Sequence, residues 1–242
     1  IDESWNLHPA LLERAVAQVQ GVGQRVAAVI PVDLYGTPAH YSAITPVLES
    51  FGVSMVEDAA EGLGARVGDR QVGSFGLAGI LSFNGNKITT SAGGGMLVTD
   101  SVEMAERVRY WSTQAREALP WYEHHEIGFN YRLSNILAAL GRSQFSRIDA
   151  EVARRRQVRD WYRTRLTQIQ GVTVQEDPSW GTSNAWLSVA RFDLGLYPDA
   201  ASRIRERLEE HNIESRPIWK PLHQQPVFAD CPRVLTGAAD AL

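Results

Sequence analysis

The sequence predicts an α/β fold, because helical and strand patterns alternate through its first half. Between Pro9 and Gly21, apolar residues recur at the spacing of an amphipathic helix, which Pro can begin and Gly can end. Residues 26–32 form a short, continuously apolar run, as expected of a parallel strand covered on both faces. A second helical pattern at 37–52 precedes an apolar strand at 53–56, which completes a β-α-β unit.

The next part of the chain adds two strands and a long helical pattern. Residues 78–83 and 95–99 have strand patterns, and a helix capped by Asp100 or Ser101 follows them. From 134 to about 169, apolar residues keep helical spacing through a stretch rich in Arg and Glu. We therefore expect one long helix that connects two domains.

The remaining segments predict a smaller α+β domain, with strands at 172–174, 186–192 and 213–214 and a helix at 199–211. The predicted organisation is a large domain at 1–133, a connecting helix at 134–170 and a small C-terminal domain at 171–242.

Composition limits the classes of partner. The 242 residues carry 24 basic and 28 acidic side chains, interspersed along the chain, which gives a net charge of −4. This balance does not indicate binding to nucleic acid or to an acidic membrane, so a small-molecule partner is expected.

Cys231 is the single cysteine, which excludes a disulfide framework and agrees with a cytoplasmic location. No apolar run approaches the ~20 residues that span a bilayer, and Ile1 in place of Met suggests part of a longer protein.

Carboxylates follow the strand predicted at 53–56. Glu57, Asp58 and Glu61 lie where that strand ends, and ligands of open α/β sheets bind at the carboxyl ends of strands. A carboxylate buried there needs a cationic partner. The alternative is that Asp58 only caps a helix N-terminus, and the sequence leaves both interpretations open.

A lysine follows the next strand. Lys87 lies among small and polar residues and precedes three consecutive glycines at 93–95, which allow the backbone to approach a ligand closely. Desolvation there would make its amine a nucleophile toward carbonyls. The spacings typical of phosphate loops, dinucleotide sites and metal sites are absent, so a nucleoside triphosphatase, a nicotinamide enzyme or a catalytic metal is not indicated.

Asp58 and Lys87 together suit pyridoxal phosphate. This cofactor needs a Lys for its Schiff base and commonly a carboxylate at its pyridine nitrogen, which keeps the ring able to accept electrons. Each of the two residues follows a predicted strand, so both are expected at one edge of the sheet.

Four motifs resemble those of the DegT/DnrJ/EryC1/StrS sugar aminotransferases: EDAAEGLG at 57–64, SFNGNK at 82–87, GFNYR at 128–132 and RPIWKPLH at 216–223. The resemblance implies a fold-type I pyridoxal phosphate enzyme. Its large domain would have three α/β/α layers around a mostly parallel sheet, and its C-terminal domain would be a smaller α+β unit. Since chains of this family are longer at both ends, the resemblance also implies that the first part of the large domain is missing here.

The resemblance assigns four cofactor-binding residues to the large domain. Lys87 would form the Schiff base, Asp58 would pair with the pyridinium nitrogen, and Ser82 would donate to the cofactor phosphate. Glu61 occupies the position next to the cofactor hydroxyl, where relatives often carry Gln or His. Because an ionised carboxylate suits a phenolate poorly, we expect Glu61 to be protonated, turned away or in contact with substrate.

The resemblance also implies a homodimer with shared active sites. Asn130 would reach the cofactor phosphate of the neighbouring subunit, and Tyr131 and Arg132 would line the neighbour's substrate pocket. Without the motif context, the interpretation of Asn130 as a turn residue and of Arg132 as a solvated residue at a helix start is favoured over a functional one.

Trp219, Lys220 and His223 are further candidates for contact with substrate. His223 has an alternative as a core histidine packed against Trp219, and Trp186 is assigned to the core or to an interface.

By this resemblance, the expected reaction is transfer of an amino group from glutamate to C4 of a nucleotide-linked 4-keto-6-deoxy sugar. The motifs look most similar to enzymes that make UDP-4-amino-4,6-dideoxy-N-acetylglucosamine for bacterial surface glycans, with GDP-perosamine synthesis as the alternative. Related sugar dehydratases have His in place of the lysine, so Lys87 favours transamination. A non-catalytic or regulatory relative stays open as a different class.

Overall fold

The computed structural model describes residues 1–242 and contains six α-helices, seven short strands and three 3-10 turns. The helices are α1 (Pro9–Gly21), α2 (Tyr41–Phe51), α3 (Val102–Ser112), α4 (Asn135–Phe145), α5 (Ile148–Leu166) and α6 (Ala200–Glu209). The strands are β1 (Val56–Asp58), β2 (Arg66–Val67), β3 (Arg70–Gln71), β4 (Ala78–Ser82), β5 (Gly95–Val98), β6 (Val172–Val174) and β7 (Ala190–Phe192). The 3-10 turns are Leu34–Gly36, Leu222–Gln224 and Pro226–Phe228.

The main sheet has the order β1-β4-β5 and confirms the α/β prediction. Strand β1 runs parallel to β4, with Asp58 opposite Ile80, and β5 pairs antiparallel with β4. The sheet is therefore mixed, with its antiparallel strand at one edge.

The strand predicted at 26–32 lies beside β1 but forms only two isolated parallel bridges, one at Val29 and one at Val32. The backbone of Val29 both donates to Ser54 and accepts from Val56. Two residues further on, Pro31 accepts from Asp58 but has no N–H to donate, so the ladder is interrupted there.

The core lies between this sheet and the first two helices. Helix α1 contributes Leu12 and Val16, and α2 contributes Ile44 and Leu48, to a cluster of 13 buried apolar residues. The other members are Ala39, Tyr41, Val53, Met55, Ala59, Leu63, Ala65, Val72 and Leu81.

A buried carboxyl joins the end of the bridged segment to α2. Asp33 is fully buried, and its Oδ1 accepts hydrogen bonds from the backbone N–H of Ala39, at 2.9 Å, and from the hydroxyl of Tyr41, at 2.8 Å. Burial raises the pKa of Asp33 to about 8. Asp33 is therefore mostly neutral at pH 7, which reduces the cost of burying it without a cation.

The single long helix predicted at 134–169 is wrong. The structure has two helices, α4 and α5, separated by Ser146 and Arg147. The charges indicate a new helix start, because Asp149 and Glu151 lie in the first turn of α5, where the helix dipole favours acidic side chains. Apolar spacing alone did not show this break.

The C-terminal part contains a two-stranded antiparallel sheet, with Val172 opposite Phe192, and helix α6. The strand predicted at 213–214 does not form. Asn212 adopts a left-handed conformation with φ 57°, and the N–H of Ile213 donates to Leu208, so the chain folds back onto the end of α6. No helix in the chain is both long enough and apolar enough to cross a membrane.

Gly36 allows the segment before α2 to approach Asn184, in the C-terminal part of the chain, closely. Its φ is +84°, and a Cβ built there would lie 1.8 Å from Oδ1 of Asn184. Asn184 is fully buried, and its side chain donates to the carbonyls of Glu61, at 2.6 Å, and Leu63, at 2.9 Å. The absence of a side chain at Gly36 thus permits the contact that fixes the chain around Glu61.

We expect Gly36→Ala to lower the free energy of unfolding by more than about 2 kcal/mol, because it forces a positive φ on Ala and displaces a buried amide. Gly21→Ala is the matched control, since a Cβ at Gly21 meets nothing within 4 Å. Urea unfolding of both variants measures the difference. Equal stability of the two variants would contradict this account of the contact.

Candidate active site

The centre of the candidate site is an ion pair between Lys87 and Glu61. The Nζ of Lys87 lies 3.1 Å from Oε1 of Glu61, and the two side chains are only 13% and 5% exposed. The same Nζ lies 4.2 Å from the centroid of the Trp186 ring. The ammonium group is therefore held between a carboxylate and the face of an indole, away from bulk water.

Backbone geometry fixes the carboxylate of Glu61. Its second oxygen, Oε2, accepts a hydrogen bond of 2.7 Å from the N–H of Tyr35. Tyr35 is buried with φ 56°, a conformation that is uncommon for a bulky side chain and that the surrounding contacts must maintain. Burial raises the pKa of Glu61, while the N–H of Tyr35 and the charge of Lys87 act in the opposite direction.

The sequence did not predict this pairing. It indicated a cationic partner for Asp58, whereas Lys87 forms its ion pair with Glu61. The unusual acidic residue at 61 was a sequence signal for this ion pair. Spacing in the sequence, however, does not show which of two nearby carboxylates a lysine will contact. Tyr35 and Trp186 were also missed, and the sequence has no signal that places either side chain beside Lys87.

Asp58 and Ser82 end two neighbouring parallel strands at the same edge of the sheet. Asp58 is the last residue of β1, and Ser82, the last residue of β4, lies two positions beyond the partner of Asp58 in the register. One carboxylate oxygen of Asp58 accepts from the N–H of Ala60 at 3.2 Å, which is a local turn contact, and the other has no hydrogen bond within the chain. Asp58 therefore has an oxygen free to bind a ligand.

Glu57 has a different role from its neighbours. It is fully buried and accepts hydrogen bonds from the N–H groups of Gly73, at 2.6 Å, and Gly76, at 2.5 Å. Burial raises its pKa, and these backbone donors lower it. These hydrogen bonds hold the loop that precedes β4 in place, and Glu57 forms no hydrogen bond or ion pair with Lys87.

Aromatic residues from the C-terminal part extend the site. The N–H of Trp219 donates to the hydroxyl of Tyr35 at 2.9 Å, and their rings lie 4.9 Å apart. The indole N–H of Trp186 donates to the carbonyl of Asn86 at 2.7 Å, and the Trp186 and Trp219 rings are 6.3 Å apart. Of the three candidates for substrate contact, Trp219 thus lies in the surroundings of Lys87.

The other two candidates, Lys220 and His223, form no hydrogen bond or ion pair with Lys87, although the side chain of His223 is only 16% exposed. The side chain of Lys220 is exposed and forms no hydrogen bond or ion pair. The Nε2 of His223 lies 2.7 Å from Oδ1 of Asp240, and the hydrogen bonds from Gln224 and then His223 lower the pKa of the Asp240 carboxyl. His223 is paired with a carboxylate, so its interpretation as a core histidine packed on Trp219 is not supported.

Asn130, Tyr131 and Arg132 lie on an exposed segment that pairs with the end of α3. Asn130 forms an antiparallel bridge with Thr113 rather than a turn, and the N–H of Tyr131 donates to the carbonyl of Ser112. No hydrogen bond or ion pair joins these three residues to Lys87 within one chain. Asn130 and Arg132 instead border a cavity of about 440 Å³ beside residues 112–119.

Residues 1–240 match the DegT/DnrJ/EryC1/StrS aminotransferase family. The chain belongs to this family. It is 45% identical over 226 residues, 93% of its length, to the Bacillus subtilis protein EpsN, provisionally described as a pyridoxal phosphate-dependent aminotransferase. It is 34% identical over 227 residues, also 93% of its length, to a GDP-perosamine synthase from Caulobacter vibrioides.

A solved structure of a family member from Brucella abortus superposes with a TM-score of 0.84 at 28% identity and covers 95% of this chain. The matches cover 58% of EpsN, 59% of the perosamine synthase and 60% of the Brucella abortus protein. The chain therefore spans about three fifths of the length of these relatives.

Aminotransferases of this family are pyridoxal phosphate-dependent, and the residues present fit that cofactor. The chain supplies a carboxylate oxygen without a partner on Asp58 and a hydroxyl on Ser82, at the ends of the parallel strands β1 and β4, and an amine on Lys87, five residues beyond the end of β4. These are the kinds of group that bind a protonated ring nitrogen, a phosphate and an aldehyde, respectively.

We expect Glu61 and Lys87 to be energetically coupled. In a double-mutant cycle with Glu61→Gln and Lys87→Met at pH 7, the coupling free energy should be about 1–3 kcal/mol, because either single change leaves a largely buried group without its partner. At pH 4 the coupling should be smaller, because protonation of Glu61, whose pKa is raised by burial, removes the charge that Lys87 faces. Urea unfolding at both pH values measures it.

The control is the exposed pair of Arg205 and Glu209, 3.2 Å apart on α6, for which the same cycle should give about 0.5 kcal/mol or less. Similar coupling in the two cycles at pH 7 would show that the Glu61–Lys87 contact contributes no more than a surface ion pair.

Proposed function

We propose that this chain carries the cofactor-binding and proton-transfer residues of an enzyme that moves an amino group from glutamate to C4 of a nucleotide-linked 4-keto-6-deoxy sugar. The observation that supports it most is the desolvated Lys87–Glu61 pair beside the free carboxylate oxygen of Asp58, in a chain of this family. Asp58 ends β1, and Glu61 and Lys87 lie in the segments that follow β1 and β4, whose carboxyl ends meet at the edge of the sheet where α/β proteins bind their ligands.

Pyridoxal phosphate, when bound, supplies an aldehyde that condenses with amines and a ring that accepts the electron pair of a substrate carbanion. Lys87 would supply the amine that holds the aldehyde, and its free amine would be the base that takes a proton from the Cα of the amino acid. Asp58 would keep a proton on the ring nitrogen.

Glu61 can hold a proton for Lys87. An amine must be unprotonated before it can act as a general base, so the Lys87 ammonium has to lose its proton first. Glu61 lies 3.1 Å away, and burial raises its pKa, so it is a suitable acceptor. Proton transfer within the pair also converts two buried charges into two neutral groups, which lowers the desolvation cost of the site.

Two sugar nucleotides are candidates for the substrate. The motifs favour UDP-4-keto-6-deoxy-N-acetylglucosamine. The alternative is the GDP-linked keto sugar that leads to perosamine, and the 34% identity to a GDP-perosamine synthase supports it. A homodimer in which Asn130 and Arg132 serve the neighbouring subunit agrees with their separation from Lys87 within one chain.

A chemical label can show which lysine binds the cofactor, because the sequence has only two lysines, Lys87 and Lys220. We expect the protein to turn yellow with pyridoxal phosphate and to lose this absorbance on borohydride reduction, with the label found on the peptide that contains Lys87. Lys87→Met should abolish the colour and the label, because no other amine lies at the sheet edge. Absorbance and peptide mass spectrometry measure both.

Lys220→Met is the matched control and should keep the colour and the label at Lys87. A protein that stays colourless at saturating pyridoxal phosphate would favour the non-catalytic class of function. Label on Lys220 would contradict the assigned role of Lys87.

Substrate choice can be tested with cofactor-saturated protein, glutamate and the two keto sugars in parallel. We expect the UDP sugar to give amino sugar and 2-oxoglutarate at least about tenfold faster than the GDP sugar, a difference of about 1.4 kcal/mol in transition-state binding. Mass spectrometry of both products measures the rates, with Lys87→Met as the inactive control. Faster turnover of the GDP sugar would favour the perosamine alternative, and no turnover of either by yellow protein would contradict both.

A further inference from the structure

The clamp segment, which we define as residues 183–186, contacts both partners of the ion pair at the site. The amide of Asn184 donates to the backbone carbonyl of Glu61 at 2.6 Å. Two positions later, the ring centroid of Trp186 lies 4.2 Å from Nζ of Lys87. One short segment therefore fixes the backbone that carries the acid and also the position of the amine.

Trp186 contacts the loop of Lys87 at two points. Its indole N–H donates to the carbonyl of Asn86 at 2.7 Å, and its ring face lies against Nζ of Lys87. The hydrogen bond fixes the backbone immediately before Lys87, and the ring fixes the far end of the side chain. Trp186 is only 2% exposed, so its side of both contacts is shielded from water. The negative face of an indole attracts an ammonium group, and the attraction is strongest when both groups are desolvated.

Trp186 is held in turn by the residues around it. Its backbone N–H donates to Oδ1 of Asn184 at 2.8 Å, and its carbonyl accepts from Arg155 of α5 at 3.4 Å. Ala185 has φ 52°, a conformation that costs free energy for residues other than glycine. The N–H of Ala185 donates to the hydroxyl of Ser183 at 2.9 Å. The strained turn is thus maintained by contacts within the clamp segment and by a contact from α5.

Helix α5 also anchors the start of the clamp segment. The Nε of Arg156 donates to the carbonyl of Ser183 at 2.7 Å. Arg159, whose side chain is 9% exposed, pairs with Asp177 at 2.6 Å, and the same carboxylate oxygen accepts from the N–H of Ser183 at 3.0 Å. The position of Trp186 therefore depends on the docking of the C-terminal part against α5.

Packing alone does not explain this arrangement. A core position can be filled by large apolar side chains of several kinds, and substitutions that keep the volume are usually tolerated. The contacts of Trp186 use the two properties that distinguish an indole from an aliphatic side chain, namely its N–H donor and its electron-rich face. Both are directed at Asn86 and Lys87.

We propose that Trp186 is a positioning residue for Lys87, and that its ring keeps the free ammonium beside Glu61. The proposal deepens the proposed function and rests on it, since Lys87 is there the lysine that binds the cofactor. Nζ stays 3.1 Å from the carboxylate oxygen that can take its proton. Because the ring attracts the ammonium and not the neutral amine, transfer of that proton to Glu61 also frees the amine from the indole.

The test measures how fast a neutral acylating reagent labels Lys87 in the cofactor-free protein. Lys220, the only other lysine, is exposed and serves as the internal reference, and peptide mass spectrometry gives the ratio of the two labels. Trp186→Leu should raise the relative labelling of Lys87 about tenfold, which corresponds to about 1.4 kcal/mol and is within the range of a desolvated cation–π contact. Trp186→Phe should raise it less, because it keeps an aromatic face but loses the N–H.

A tetrafluorinated tryptophan introduced only at position 186 separates the attraction from packing. Fluorine withdraws electron density from the ring face, which weakens its attraction for a cation, while the shape and the N–H donor remain. We expect the relative labelling of Lys87 to rise at least about threefold in this variant. A role in packing alone predicts no change.

Trp180→Leu is the matched control. The ring of Trp180 is stacked on that of His40, with centroids 4.0 Å apart, and its N–H donates to the carbonyl of Pro38 at 3.2 Å. The variant therefore loses the same two kinds of contact, but neither of them involves Lys87. Labelling of Lys87 should stay within about twofold of the wild type, and circular dichroism verifies that each variant is folded.

Labelling within about twofold of the wild type in Trp186→Leu would overturn the proposal, as would an equal rise in Trp180→Leu. A rise in Trp186→Leu without one in the fluorinated variant would assign Trp186 to packing and would also overturn it. These outcomes do not depend on amino transfer. Yellow, active protein with unchanged labelling in the Trp186 variants would reject the positioning role alone, whereas colourless protein in which these variants expose Lys87 would reject the enzyme alone.

Discussion

The contact between Lys87 and Glu61 is the interaction around which the site is arranged. An ammonium and a carboxylate that are both nearly buried lose much of their hydration, and their attraction offsets this loss only with good geometry and further hydrogen bonds. The structure supplies both through the N–H of Tyr35 on the acid and the face of Trp186 under the amine. The strained turn at Tyr35 is thus a requirement of the ion pair.

The carboxyl groups in and around this pair differ in how their negative charge is stabilised or removed. Glu57 is satisfied by backbone donors, and Asp33 is kept largely neutral by burial. Glu61 has a cation, and Asp58 keeps one oxygen without a partner. Four carboxyl groups within a short stretch of structure therefore have four different states. Oδ2 of Asp33 also lacks a partner but is buried, so Asp58 alone among the four has an unpartnered oxygen that is not buried. The unpartnered oxygen of Asp58 is thus the one available to a ligand, because the other three carboxyl groups are hydrogen-bonded, largely neutral or ion-paired.

Much of the fold was predictable from local patterns. Helix α1 and strands β4 and β5 follow their sequence signals closely, and the lysine and aspartate at the strand ends were predicted as site residues because α/β sheets bring such positions together. The break at Ser146 was not predicted, since apolar spacing continues across it and only the acidic residues at 149 and 151 mark the new helix. The pairing of Lys87 with Glu61 was also beyond sequence reasoning, because it depends on a left-handed turn at Tyr35 and on Trp186, which is 99 positions away.

The hydrogen bond between Trp219 and Tyr35 joins residues that are 184 positions apart, and the one between Trp186 and Asn86 spans 100 positions. Such contacts form only after a large loss of chain entropy, so they are expected late in folding. The apolar core around α1 and α2 uses much shorter separations and can form first. Lys87 would then remain open to water in a partly folded chain and become enclosed only when the C-terminal segments dock. A ligand that requires the enclosed lysine would bind the finished fold and stabilise the docking by mass action.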